Sequence, residues 1–208
     1  MTSGEVPSVR IPAPLPDGVS QATIGVRGGL LRSGFEETAE AIYLTSGYVY
    51  SSAAQAEKAF TGEIDRFVYS RYGNPTVQTF EERLRLIEGA PAAFATASGM
   101  AAVFTGLGAL LAAGDRLVAA RSLFGSCFVV CNEILPRWGV ETVFVDGEDL
   151  DQWEQALSRP TTVAFFETPS NPMQSLVDIA AVSEMAHAAG AKVVLDNVFA
   201  TPLLQQGI

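Results

Sequence analysis

Short apolar runs alternate with longer stretches of helical character from about residue 92 onward. The runs are typical of strands buried on both faces, and they are Ala92–Ala95, Leu117–Ala120, Thr142–Val145, Val163–Phe166 and Val193–Leu195. The intervening helices are predicted at Gly99–Ala113, Ser126–Pro136, Leu150–Leu157 and Ile179–Ala189. Alternation of strand and helix predicts an α/β domain with a mostly parallel sheet flanked by helices.

The first part of the chain is less regular. Four prolines within residues 1–20 predict an extended N-terminal arm, and this segment lacks the apolar core of a signal peptide. An irregular region to about Ser52 precedes a short helix predicted at Ala53–Phe60. A turn-rich segment then ends at a second helix, whose apolar residues recur every three or four positions as far as Gly89.

Composition narrows the function classes. The 208 residues include 23 acidic and 13 basic side chains, and the net charge of −10 argues against a nucleic-acid partner. With 48% hydrophobic and 17% charged residues, the chain requires a large core, a subunit interface or both. The segment Gly89–Gly114 carries no charge, but Pro91 and Gly99 interrupt it. We therefore interpret it as a buried strand and helix rather than a membrane span.

The cysteines and the histidine favour no metal site. Cys127 and Cys131 lie four residues apart on a predicted helix, where we interpret them as small buried residues. The chain's single histidine, His187, is distant from both, so no set of metal ligands is apparent. Two cysteines form no disulfide framework, which fits a reducing compartment such as the cytoplasm.

Polar, aromatic and glycine residues follow the predicted strands. They are Ser98-Gly99-Met100, Ser122–Gly125, Glu167–Pro172 and Asp196-Asn197. The carboxyl ends of parallel strands share one edge of a sheet, so these segments predict a ligand site. Ser98 at a helix start suits an anion, although an ordinary N-cap serine has the same pattern. Asp196 at the end of an apolar strand suits a cationic partner, although a turn aspartate remains the alternative. Phe124 could stack on a flat ligand or belong to the core.

Four ordered motifs together resemble the Cys/Met-metabolism family of pyridoxal phosphate enzymes, the relatives of cystathionine γ-synthase. The motifs are Tyr69–Thr76 (YSRYGNPT), Ala97–Ala101 (ASGMA), Glu167–Pro172 (ETPSNP) and Asp196–Pro202 (DNVFATP). The resemblance implies the aspartate-aminotransferase-type fold, known as fold type I, and pyridoxal 5'-phosphate as cofactor. It also implies an arm and subunit-contact segment over residues 1–60 and an incomplete cofactor-binding domain over residues 61–208.

The resemblance implies a role for each matching residue. Ser98, Gly99 and Met100 would bind the cofactor phosphate, and Asp196 would pair with the ring nitrogen. Asn171 would lie beside the ring hydroxyl, and Phe124 would stack on the ring where many relatives have tyrosine.

Two further residues are implied to act across a subunit interface. Tyr69 and Arg71 would reach the phosphate of a neighbouring subunit in a homo-oligomer, which in relatives is a tetramer built as a dimer of dimers. Because Phe124 has no hydroxyl, Tyr69 is also a candidate for assisting proton transfer.

Within the family, the Phe124-Gly125-Ser126 run and the Arg71–Pro75 turn resemble the members that replace the succinyl group of O-succinylhomoserine with sulfide. Small-molecule substrates, an O-acylhomoserine and sulfide, are implied. A cystathionine γ-synthase, a γ-lyase or an O-acetylhomoserine sulfhydrylase would share the motifs. A non-catalytic fragment is the alternative from another class.

The departures from the family pattern concern catalysis. The family's Schiff-base lysine lies about a dozen residues after the Asp196 motif, and neither Lys58 nor Lys192 matches a motif. The sequence is therefore expected to be the N-terminal part of a larger enzyme. Val198 also replaces a threonine found in many members.

Overall fold

The structure, a computed structural model, describes residues 15–35 and 37–207. The chain divides between Ala95 and Thr96 into two compact units. The helices of the first unit are α1 (Gln21–Arg27), α2 (Ala53–Phe60) and α3 (Pro75–Glu88). The elements of the second unit are α4 (Gly99–Leu110), β1 (Arg116–Ala120), α5 (Gly125–Val129), a π-helical turn (Val130–Ile134), α6 (Leu135–Arg137), β2 (Glu141–Val145), α7 (Leu150–Leu157), β3 (Val163–Glu167), α8 (Ile179–Ala188), β4 (Lys192–Asp196) and α9 (Thr201–Leu204).

Local capping explains the helices of the first unit. The Asn74 side chain accepts a hydrogen bond from the Thr76 N–H, Pro75 occupies the first turn, and Gly89 ends α3 at φ 69°. Both α2 and α3 confirm the predicted helices. The region before Ser52 was predicted to be irregular throughout, and α1 corrects this prediction. Ser20 caps the N-terminus of α1, and Gly28 follows its last residue. Gly28 packs against α3, because a Cβ added there would come 3.2 Å from Leu86. The predicted extended arm lies mostly outside the described residues.

The sheet of the second unit is entirely parallel, with strand order β2-β1-β3-β4. The central strands β1 and β3 are buried along their whole length, as predicted. The outer strands β2 and β4 are only partly buried, because each pairs with a single neighbour among the described strands. From β1 the chain runs outward to β2 and then returns past β1 to β3, so the order of the strands reverses between β1 and β3.

Two hydrophobic cores cover the two faces of this sheet. Successive side chains of β1 and β3 point to opposite faces. Val118 and Phe166 therefore join a core with α7 and α8, while Leu117 and Phe165 join a core with α4, α5 and α6. A parallel sheet covered on both faces is the α/β architecture that the sequence predicted.

The helix between β1 and β2 contains a local irregularity. The prediction of one helix over Ser126–Pro136 holds in position, but the residues Val130–Ile134 form a π-helical turn. The Leu135 N–H donates to the carbonyl of Val130, five residues back. The wider turn precedes Pro136, which has no N–H to continue an α-helical ladder. Cys127 and Cys131 are both buried, as predicted.

One predicted strand is absent from the described residues. Residues 92–95 have no strand partner, and Phe94 is 88% exposed. The Ala95 N–H donates instead to the Glu81 carboxylate at 2.7 Å. An apolar run becomes a strand only where a neighbour completes its hydrogen-bond ladder, and the sequence pattern alone carries no information about that neighbour.

The uncharged segment that follows contains a shorter helix than predicted. Helix α4 ends at Leu110 rather than Ala113, because Leu111 is extended and the Ala112 N–H donates to the Asp115 side chain. Within residues 15–35 and 37–207, no helix combines the length and apolarity needed to cross a membrane.

Candidate cofactor site

A cavity of about 580 Å³ opens at the carboxyl edge of the sheet. It lies within the second unit, at the end where the strand order reverses. Its lining residues are Gly99, Met100, Ala102, Val103, Phe124, Cys127, Phe165, Glu167, Asn171, Val194, Leu195, Asp196, Asn197, Val198 and Phe199. Five residues predicted for the site, Gly99, Met100, Phe124, Asn171 and Asp196, therefore share one cavity.

The N-terminus of α4 forms one wall of the cavity. Ser98 caps this helix, and its Oγ accepts a hydrogen bond from the Ala101 N–H at 3.1 Å. The Ser98 hydroxyl proton can still donate to a ligand. A Cβ added at Gly99 would have no heavy atom within 4 Å, so the space beside its backbone is open. A twelve-residue helix beginning at an open cavity wall is suited to an anionic group such as a phosphate.

Phe124 lies at the start of α5, in the segment that follows β1. Its side chain is 42% exposed and lines the cavity. The Phe124 N–H donates to Glu167 Oε2 at 2.6 Å. The exposed ring thus lies on a backbone that is tied to the end of β3.

Asp196 ends β4 and is partly buried. Its Oδ1 accepts a hydrogen bond from the Val198 N–H at 3.1 Å. The following loop is held by Gln205, whose Nε2 donates to Asn197 Oδ1 and to the Thr168 carbonyl, both at 2.8 Å. These bonds connect the loop after β4 to the end of β3 and orient Asp196 at the cavity.

Glu167 is the site residue for which the sequence suggested no individual role. It ends β3, is 1% exposed and lines the cavity. Besides the bond to Phe124, its Oε1 accepts a hydrogen bond from the Asn171 N–H at 3.2 Å. The sequence did contain a signal for Glu167, namely a charged residue at the end of an apolar strand. Such a residue requires hydrogen-bond or charged partners when it is buried.

The electrostatics of the cavity favour a cationic group. Glu167 and Asp196 are partners in the β3–β4 register, and none of the described residues that line the cavity is lysine, arginine or histidine. Burial raises the pKa of Glu167, and the nearby Asp196 raises it further. Burial and both carboxylates raise the pKa of the Cys127 thiol to about 11.

The second predicted group, Tyr69 and Arg71, lies in the first unit. The Arg71 guanidinium lies 5.4 Å from the Tyr69 ring centroid and 5.1 Å from that of Tyr72. Both rings are exposed, Tyr72 at 73%. The Ser70 N–H donates to the Ser46 carbonyl at 2.9 Å, which holds this turn against the preceding segment. A cation between two phenols at the surface is suited to a phosphate.

The residues of the cavity fit pyridoxal phosphate. The open α4 N-terminus matches its phosphate, and two carboxylates without a cationic side chain match a protonated ring nitrogen. The Phe124 ring and apolar neighbours such as Val194 match a flat aromatic ring.

Comparisons with known proteins agree with this fit. A family model described as Cys/Met metabolism PLP-dependent enzyme matches residues 22–208. An O-succinylhomoserine sulfhydrylase of Mycobacterium tuberculosis is 86% identical over 200 residues, covering 96% of this chain and 49% of the relative. The O-succinylhomoserine sulfhydrylase of Pseudomonas aeruginosa is 45% identical over 190 residues, covering 91% and 47%.

A solved structure extends the likeness to three dimensions. A putative O-acetylhomoserine (thiol)-lyase from Campylobacter jejuni superposes with a TM-score of 0.83 at 29% identity, covering 91% of this chain and 47% of that one. That structure contains N'-pyridoxyl-lysine-5'-monophosphate. The architecture and cavity therefore define a fold type I pyridoxal phosphate protein, which confirms the predicted fold class.

The chain belongs to the family of Cys/Met metabolism PLP-dependent enzymes. The family resemblance seen in the motifs, and pyridoxal phosphate as the family's cofactor, are thereby confirmed. The chain spans about half the length of the curated relatives it matches.

Proposed function

We propose that this chain is the N-terminal half of an enzyme that converts O-succinyl-L-homoserine and sulfide into L-homocysteine and succinate, a step of methionine biosynthesis. The observation that carries the proposal is the 86% identity to an O-succinylhomoserine sulfhydrylase over 96% of the chain. The Phe124-Gly125-Ser126 run, which has phenylalanine where many family members have tyrosine, supports the same choice.

Each site residue has a role in this proposal. Ser98, Gly99 and Met100 bind the cofactor phosphate at the α4 N-terminus, and Phe124 covers one face of the ring. Asp196 keeps the ring nitrogen protonated by its negative charge, and Asn171 contacts the ring hydroxyl. Once bound, pyridoxal phosphate would supply the electron sink that a γ-replacement requires. The lysine that holds the cofactor in relatives is proposed to lie in the second half of the enzyme.

Tyr69 is proposed to assist proton transfer, because Phe124 has no hydroxyl with which to do so. Its exposed phenol lies beside Arg71, which supplies a positive charge near a transferring proton. Replacing Tyr69 with phenylalanine is expected to lower kcat about 10²-fold or more. An unchanged kcat would remove Tyr69 from the mechanism and leave the rest of the proposal intact.

We propose a cytoplasmic homo-oligomer, a tetramer built as a dimer of dimers, in which Tyr69 and Arg71 reach the site of a neighbouring subunit. Residues 1–60 would form its arm and subunit contacts, and residues 61–208 part of its cofactor domain. Large apolar side chains with high exposure in this segment support an interface. They are Ile42 at 74%, Leu44 at 94%, Val49 at 90% and Phe60 at 65%. Mass photometry of the full-length protein tests this assembly, and a monomer would contradict it.

The reaction is tested by assaying the full-length protein with succinyl and acetyl esters of homoserine, each with sulfide or cysteine as acceptor. We expect fastest homocysteine formation from the succinyl ester and sulfide. Preferred use of cysteine would indicate a cystathionine γ-synthase, and preferred use of the acetyl ester would indicate an O-acetylhomoserine sulfhydrylase. Breakdown of substrate without an acceptor would indicate a γ-lyase. An intact mass of 22.0 kDa for the expressed protein would indicate a non-catalytic fragment.

A further inference from the structure

Glu167 is the most deeply buried charged side chain at the cavity. It is 1% exposed, whereas Asp196 is partly exposed. A carboxylate removed from water is costly unless hydrogen bonds replace the lost solvation. The contacts that Glu167 makes therefore indicate why this strand ends in a charged residue.

Both carboxylate oxygens of Glu167 accept backbone N–H groups from loops that carry site residues. Oε2 accepts from Phe124, 43 residues earlier in the chain, and Oε1 accepts from Asn171, four residues later. Phe124 and Asn171 both line the cavity. One side chain thus joins the loop after β1 to the loop after β3.

This connection crosses the point where the strand order reverses. The loops after β1 and β3 diverge there because their chains continue to opposite sides of the sheet. Glu167 also faces Asp196 across the β3–β4 register, so two negative charges lie at one level of the sheet edge.

We infer that Glu167 is a positioning residue of the cofactor site: its buried carboxylate fixes the backbone of Phe124 and Asn171 and places a second negative charge beside Asp196. The inference rests on the proposed function, because it assigns these contacts to pyridoxal phosphate. It goes beyond that function by naming the group that holds two ring-contacting residues in place.

The test compares Glu167→Gln with wild type in the full-length protein. Glutamine preserves the volume, but its amide offers one acceptor oxygen where the carboxylate offered two. It also removes the negative charge. We expect pyridoxal phosphate to dissociate about 10- to 100-fold more readily from the variant, as for the loss of a hydrogen bond to a charged group. The visible circular dichroism of the bound cofactor should also change, because it reports the orientation of the ring.

Hydrogen exchange without cofactor supplies an independent reading. The backbone amides of Phe124 and Asn171 should exchange faster in Glu167→Gln, while amides in β1 stay protected. Glu141→Gln is the matched control, because Glu141 begins β2 at the opposite end of the same sheet and pairs with Arg116 and Arg159. This control should bind pyridoxal phosphate as wild type does.

Three outcomes separate the possibilities. If wild type itself does not bind pyridoxal phosphate, the proposed function fails. If wild type binds it and Glu167→Gln matches wild type in affinity, dichroism and exchange, the inference is overturned. If Glu167→Gln does not fold, Glu167→Asp replaces it, because aspartate keeps the charge but shortens the reach to Phe124 N. Equal affinity and exchange in that variant would also overturn the inference.

Discussion

Two carboxylates at the same level of one sheet edge have different surroundings. Glu167 at the end of β3 is 1% exposed, and both of its oxygens accept backbone N–H groups. Asp196 at the end of β4 is partly exposed and accepts one backbone N–H at Oδ1. Among the described residues, none donates a hydrogen bond to Asp196 Oδ2. The comparison shows that two carboxylates paired in register can differ in access: Glu167 uses both oxygens within the protein, whereas Asp196 keeps part of its surface open to the cavity.

Replacing Asp196, the more accessible of the two carboxylates, should have the largest effect on activity. Asp196→Asn removes the charge that we propose keeps the ring nitrogen protonated, so we expect kcat of the full-length enzyme to fall about 10²- to 10³-fold. The free energy of unfolding should change little, because the residue is partly solvated. Steady-state kinetics and urea unfolding measure the two quantities. A large loss of stability with little loss of activity would reverse the roles assigned to the two carboxylates.

Removing Glu167, the buried carboxylate, should mainly lower the stability of the fold. Glu167→Ala leaves the N–H groups of Phe124 and Asn171 without their buried acceptor. We expect the free energy of unfolding to fall by about 2–4 kcal/mol. Urea unfolding of the full-length protein measures this loss, with Asp196→Ala as the matched variant at the next strand. Equal losses in the two variants would contradict the different burial of the two side chains.

The buried Glu167 carboxyl should also make the stability of the protein depend on pH. Because burial raises the pKa of Glu167, the native state binds its proton more tightly than the unfolded state does. Its contribution to stability is therefore fully present below the ordinary glutamate pKa and is lost as pH rises through the raised value. Wild type should therefore lose stability relative to Glu167→Gln as pH rises through this window. Urea midpoints at several pH values test this sign, and a shift in favour of wild type would contradict it.

The smallest expected effect concerns Cys127, which reports the field in the cavity. Burial and both carboxylates raise its pKa to about 11, and burial followed by Cys127 raises the pKa of Cys131 to about 12. Iodoacetamide should therefore label both thiols at least about 100-fold more slowly than free cysteine near neutral pH. Asp196→Asn should accelerate labelling of Cys127 and leave Cys131 unchanged, as followed by peptide mass spectrometry. Equal acceleration at both cysteines would indicate general loosening instead of a change in local charge.

Local patterns in the sequence predicted most of the fold correctly. Helices α2 and α7 begin and end where predicted, because the apolar periodicity and the capping residues that specify them lie within the segments themselves. The strand predicted at residues 92–95 and the missed helix α1 had different causes. A strand requires a neighbour that the pattern does not encode, and α1 is a short helix preceded by a proline-rich segment that favoured an irregular prediction.

The sequence by itself determined which residues end the strands and which chemistry they carry. It predicted that Phe124, Asn171 and Asp196 share one edge, because parallel strands present their carboxyl ends together, and all three line the cavity. It also carried the family motifs. These features lie within short segments, so they can be recognised in the sequence without knowledge of the strand order.

Only the tertiary structure decided how deeply each of the two carboxylates is buried. The order β2-β1-β3-β4 places β1 beside β3, and this contact brings the Phe124 N–H to Glu167 across 43 residues of chain. The same order places Asp196 opposite Glu167 in the β3–β4 register, where Asp196 stays partly exposed. Burial depends on which strands become neighbours, and this is a property of the whole sheet rather than of any segment within it.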